Sequence, residues 1–195
     1  MSSPVPFSSS PDLASAPECA LALIDVQQRL LPAIDEGERA TWNCSRLARA
    51  ALLTEIPLLV TEQYSKGLGG TVEGLTEFAR NPIEKLTFSA WGAPDFRRRV
   101  AGLDRRQIVV AGIETHVCVL QTALDLVAAG YSVLVAVDAC GSRFAVDHKT
   151  ALRRMEAAGV TLATTESMLF EWCRTAESPV FKQIAAIVRE AQSGD

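Results

Sequence analysis

Three residues of this 195-residue chain have the types that covalent nucleophilic chemistry needs: Asp25, Lys85 and Cys118. Asp25 is the first charge after the apolar run CALALI, Lys85 sits in the strand-like IEKLTF, and Cys118 follows QIVVAGI in the segment THVCVLQTALDLVAAG. A cysteine in the first turn of a helix meets unpaired backbone N–H groups and the positive end of the macrodipole, which favour its anion. There a thiol pKa falls from about 8.5 toward neutrality or below. A nearby ammonium such as Lys85 works in the same direction. A carboxylate such as Asp25 can take the proton, which makes a nucleophile with its own base. The amides at the helix start can also hold an oxyanion.

Each of the three also has a bland reading. A cysteine is commonly a small buried hydrophobe. An aspartate at a strand end is often a turn residue, and a strand lysine usually snorkels to solvent. In the catalytic scheme Lys85 supplies only charge. Its replacement by Met is therefore expected to disturb folding little and to raise the pH at which Cys118 reacts. His116 precedes Cys118 by two positions, a spacing at which helix side chains do not face each other, so a Cys–His pairing is not expected. Cys19, Cys44, Cys140 and Cys173 have no comparable setting and read as packing. Phe88 and Trp91, soon after Lys85, either wall a pocket or belong to the core.

Only the fold can unite residues so far apart in the chain. CALALIDV (19–26), PLLVTEQ (57–63), IEKLTF (83–88), QIVVAGI (107–113), YSVLVAV (131–137) and VTLATT (160–165) read as strands. Their near-continuous apolar character is that of strands covered on both faces. Helical spacing falls between them at 37–55, 71–80, 93–103, 115–130 and 146–158, with Thr115 as a candidate N-cap and two further helices near 166–175 and 178–191. SKGLGG (65–70) reads as a loop. The alternation predicts a three-layer α/β fold, a mainly parallel sheet of about six strands with helices on both faces. Right-handed crossovers place the strand C-terminal ends on one edge, where ligands bind.

Composition closes off other classes. The net charge of −4 argues against nucleic acid as a partner, which demands a basic face. The longest stretch free of Asp, Glu, Lys and Arg is 126–137, too short for the ~20 apolar residues of a membrane span. The start, MSSPVPFSSSPDLASAPE, has neither a basic region nor an apolar one and is read as no signal peptide. Residues 1–18, rich in Ser and Pro, read as a tail that is mobile or packed on a neighbour, and 19–192 as the single domain. Five cysteines without a CxxC pair point to free thiols in a reducing cytoplasm. With only His116 and His148, and no paired-ligand spacing, no structural zinc site is expected.

The segments ALIDVQQ (22–28), EKLTFSAW (84–91) and AGIETHVCVLQTA (111–123), in this order, resemble the isochorismatase-like cysteine hydrolase superfamily. LLVTEQYSKGLGGTV (58–72), DACGSR (138–143) and TTESMLFEW (164–172) are similar to its isochorismatase domain-containing subgroup. The resemblance implies a Rossmann-like fold and a triad, with Asp25 as general base, Lys85 as the cation supporting the thiolate and Cys118 as nucleophile. It further implies a non-proline cis peptide between Ile113 and Glu114 and an oxyanion hole formed by the amides of Val117 and Cys118. Nicotinamidase-like relatives hold a metal by Asp and His residues after the second strand. Here that region reads TEQYSKGLGG, without histidine, so neither a metal nor another cofactor is expected. True isochorismatases lack the nucleophilic cysteine, so Cys118 shifts the expectation to a covalent attack on an amide-type carbon–nitrogen bond. The expected partner is a small-molecule substrate lined by Gln27, Tyr64, Phe88 and Trp91, in a homo-oligomer. Two other classes stay open at this point: a non-catalytic scaffold that retains the fold, and a thiol redox protein using Cys118.

Overall fold

Alternation within the first apolar run explains how one strand serves two cores. Cys19, Leu21 and Leu23 point to one face of the sheet, and Ala20, Ala22 and Ile24 to the other. In the computed structural model, which describes residues 10–192, this run is the central strand β1 (Cys19–Ile24), buried along its whole length. Five more strands follow: β2 (Leu58–Gln63), β3 (Ile83–Lys85), β4 (Gln107–Ile113), β5 (Ser132–Gly141) and β6 (Thr161–Ala163). All pair in parallel, in the order β3-β2-β1-β4-β5-β6. The order reverses between β1 and β4, the switch point where ligands of such sheets bind.

Helices α1 (Gly37–Leu53), α6 (Thr165–Cys173) and α7 (Phe181–Val188) cover the face of Leu21, Leu23, Val109 and Leu134. Helices α3 (Pro94–Gly102), α4 (Leu120–Ala128) and α5 (Ala145–Ala157) cover the face of Ala22, Ile24, Val110 and Val135. The result is the three-layer α/β architecture that the sequence predicts. No helix among the described residues is long and apolar enough to cross a membrane.

Several boundaries differ from expectation, each for a local reason. The strand expected over 83–88 stops at Lys85, because the carbonyls of Thr87 and Phe88 turn inward to the Lys85 ammonium. The helix expected over 71–80 is a 3-10 segment, Glu73–Phe78, and the Gly-rich loop contains a short helix α2 (Ser65–Leu68). The helix expected from Thr115 opens with a π turn, Thr115–Val119, before α4 begins. Thr115 is not its N-cap. Its hydroxyl meets His148 Nδ1 at 2.9 Å instead.

Of the tail, residues 1–9 lie outside the described residues. The part that is described packs on the domain. Ala14 N donates to Glu171 Oε2 at 2.6 Å, Ser15 N to Gln107 Oε1 at 2.7 Å, and Gln107 Nε2 to Leu13 O at 3.0 Å.

One glycine decides how closely the central strands approach. Gly112, at φ 127°, passes so near the end of β1 that a Cβ there would lie 2.1 Å from the Ile24 carbonyl oxygen. Any larger residue would force β4 away from β1 one position before Asp25.

Candidate active site

Asp25 follows β1 at φ 53°, a left-handed conformation that aspartate tolerates better than most residues and that turns the chain out of the sheet. Its carboxylate is completely buried and fully engaged. Thr61 Oγ1 donates to Oδ1 at 2.6 Å, and Lys85 Nζ donates to Oδ2 at 2.6 Å. Lys85 comes from the end of β3, two strands away. Its ammonium also donates to Gln63 Oε1 at 2.7 Å, Phe88 O at 2.9 Å and Thr87 O at 3.2 Å. Cys118, 6% exposed, comes from the π turn after β4 and makes side-chain contacts with both Asp25 and Lys85. Three residues from three strand ends thus meet at the C-terminal edge of the sheet.

The electrostatics of this cluster run against the sequence expectation for the thiol. Burial, first, and then the Asp25 carboxylate push the Cys118 thiol up to about 12, against the lowering pull of Lys85. The resting sulfur is therefore a protonated thiol beside a carboxylate. Burial of the sulfur and the neighbouring carboxylate oppose the lowering that the helix start and Lys85 supply.

Lys85 is corrected as well. Its side chain is wholly inaccessible, so it does not snorkel, and removing its charge would strand the Asp25 carboxylate and three oxygen acceptors. Replacement by Met is not structurally neutral.

The Ile113–Glu114 peptide is cis. Just beyond it, the Val117 amide donates to Glu114 O at 3.1 Å, so it is spent within the turn and is not free to face an oxyanion.

The expected pocket residues separate into two groups. Tyr64 and Phe88 are about half exposed beyond the C-terminal ends of β2 and β3. Gln27 is fully buried and lines nothing. Its amide clamps the backbone, donating to Gln63 O at 3.0 Å and Gly69 O at 2.6 Å and accepting from Gln63 N at 2.8 Å. Trp91 is misplaced too: its ring packs edge-on against Tyr131, 5.6 Å away, at the start of β5 and so at the opposite end of the sheet. His116, as expected, turns from Cys118 and meets Ser142 Oγ at 3.1 Å.

Sequence reasoning missed Thr61 and Gln63. Both lie on the same face of β2, within its polar end Thr61-Glu62-Gln63, where the sequence does not distinguish them from Glu62 on the other face. A pocket of about 440 Å³ lined by Glu36, Arg39, Ser142 and His148 opens beside the end of β5. A larger one, of about 630 Å³, lies at the far edge of the sheet near Pro57 and Arg99, away from this chemistry. Among the described residues, no group of three or more His, Cys, Asp or Glu side chains is placed to hold a metal ion.

Comparison with known proteins agrees with this fold. The isochorismatase domain family model matches residues 19–167. Isochorismatase domain-containing protein 2A of Mus musculus is 40% identical over 171 residues, covering 87% of this chain and 82% of its own. Among solved structures, the MAR1 ribonuclease from Caenorhabditis elegans superposes with a TM-score of 0.85 at 35% identity, over 91% of this chain and 93% of that one. The YcaC gene product of Escherichia coli, described as an octameric hydrolase of unknown specificity, superposes with a TM-score of 0.84 at 26% identity, over 92% and 91% of the two chains.

Proposed function

This chain belongs to the isochorismatase domain family, a hydrolase fold, and on that premise we propose that it is a cysteine hydrolase cleaving a carbon–nitrogen bond of a small amide. The observation that carries this reading is the buried meeting of Asp25, Lys85 and Cys118, with Lys85 Nζ 2.6 Å from the Asp25 carboxylate. Asp25 takes the Cys118 proton as the sulfur attacks the carbonyl carbon, and Lys85 stabilises the thiolate. The Cys118 amide faces the oxyanion. Protonated Asp25 then gives its proton to the departing amine as the C–N bond breaks, leaving a thioester on Cys118. Asp25 next deprotonates a water that attacks the thioester, and the thiol leaves with its proton restored.

No metal and no organic cofactor enters this scheme. The five unpaired thiols support a reducing, cytoplasmic setting. Large apolar side chains are exposed on the segments that follow β2, β3 and β5 at this edge of the sheet: Tyr64, Leu86, Phe88, Phe144 and Val146. Such a rim favours a second copy of the chain as its cover, in a homo-oligomer of the kind described for the E. coli neighbour. The ribonuclease name of the nematode neighbour suggests RNA, but an apolar rim on a chain of net charge −4 suits a small neutral substrate better.

The test is ammonia release from a panel of small aliphatic and aromatic amides. Wild type is expected to turn over at least one of them, and Cys118→Ala none. Equal release by Cys118→Ala would overturn the reading.

A further inference from the structure

We propose that Gln63 is a positioning residue, which aims the Lys85 ammonium at the Cys118 sulfur without adding charge to the site. The inference rests on the triad reading above.

An ammonium has three protons, yet Lys85 Nζ donates to four oxygens and also interacts with the Cys118 side chain. Gln63 governs three of those four. Its Oε1 is one acceptor, at 2.7 Å. Its Nε2 donates to Leu86 O at 2.9 Å, which ties down the start of the loop whose Thr87 and Phe88 carbonyls are the other two. Gln63 is itself held rigidly. Its backbone N–H and C=O both bond the Gln27 amide, and it pairs with Lys85 in the β2–β3 register.

The chemistry explains why an amide suits this place. When the Cys118 proton moves to Asp25, negative charge moves from oxygen to sulfur, and one Lys85 proton must follow it. A neutral amide releases that proton readily. A carboxylate in its place would hold the ammonium back and repel the thiolate. If Gln63 served only to knit β2 to β3, its replacement would change stability and leave the reactivity of the sulfur untouched.

The experiment follows iodoacetamide alkylation of Cys118 by peptide mapping between pH 7 and 9, with melting temperature measured in parallel. Gln63→Glu is expected to slow alkylation at each pH by at least about threefold. That figure combines a thiol pKa raised by about one unit or more with the greater intrinsic nucleophilicity of the more basic thiolate. Should Gln63→Glu not fold, Gln63→Met keeps the length without charge, and loss of one hydrogen bond is expected to slow alkylation by about two- to tenfold. A folded variant alkylated at the wild-type rate overturns the proposal. Asp25→Asn is the control for the underlying reading. If it alters alkylation and the Gln63 variants do not, only the role of Gln63 fails. If none of them alters it, the triad reading fails.

Discussion

Asp25→Asn is expected to separate two properties of Cys118 that normally travel together: the sulfur becomes more reactive and the enzyme stops turning over. Asp25 is one of the causes that hold the thiol up at about 12, and Lys85 acts in the opposite sense. Removing the carboxylate charge leaves Lys85 with the sulfur as its anionic partner, so the thiol pKa falls by about one to three units. The sign is definite, since loss of a neighbouring negative charge favours the thiolate. Iodoacetamide alkylation near pH 8 should speed up by at least about threefold, after allowing for the lower nucleophilicity of a less basic thiolate. Amide turnover should fall by about a hundredfold or more, because the variant lacks the group that takes and returns the proton. Parallel alkylation and ammonia assays on the same preparation check both halves. Faster alkylation with undiminished turnover would mean that Asp25 is only a neighbour of the thiol and not its base.

Lys85→Met is expected to be the most destabilising single change in the site. The Lys85–Asp25 pair has no side-chain exposure on either partner. Breaking such a pair from one side leaves an uncompensated buried charge, at a cost of about 3–5 kcal/mol. For a chain of this length that corresponds to a melting temperature lower by roughly 10 °C. The double variant Asp25→Asn, Lys85→Met should recover part of the loss, because no charge is then stranded. Thermal unfolding of the three variants beside wild type measures it. A melting temperature within a degree of wild type for Lys85→Met would contradict the buried pairing.

The sequence made the architecture legible because the central strands β1 and β4 are short apolar runs buried along their whole length, and QIVVAGI coincides with β4 residue for residue. The same runs put Asp25, Lys85 and Cys118 at strand ends, so a parallel sheet alone suffices to bring them to one edge. What escaped was everything set by direction and by distant partners. The pull on the Cys118 thiol depends on how deeply the turn is buried and on which charge lies closer, neither of which appears in the local segment. Gln27 and Trp91 look like pocket residues by their position in the chain. However, the Gln27 amide is consumed by Gln63 and Gly69 across the sheet, and the Trp91 ring finds Tyr131 at its other end. Thr61 and Gln63 were hidden in a strand where polar residues look merely solvent-facing, although Thr61 is fully buried against Asp25.

The most direct measurement is the covalent state of Cys118 during turnover. Protein incubated with a small amide that it hydrolyses, quenched in acid and mapped by mass spectrometry, is expected to carry the acyl mass on the Cys118 peptide alone. Hydroxylamine, which cleaves thioesters, should remove it. Steady ammonia release with no acyl group on Cys118, or with the acyl group on another residue, would contradict the account.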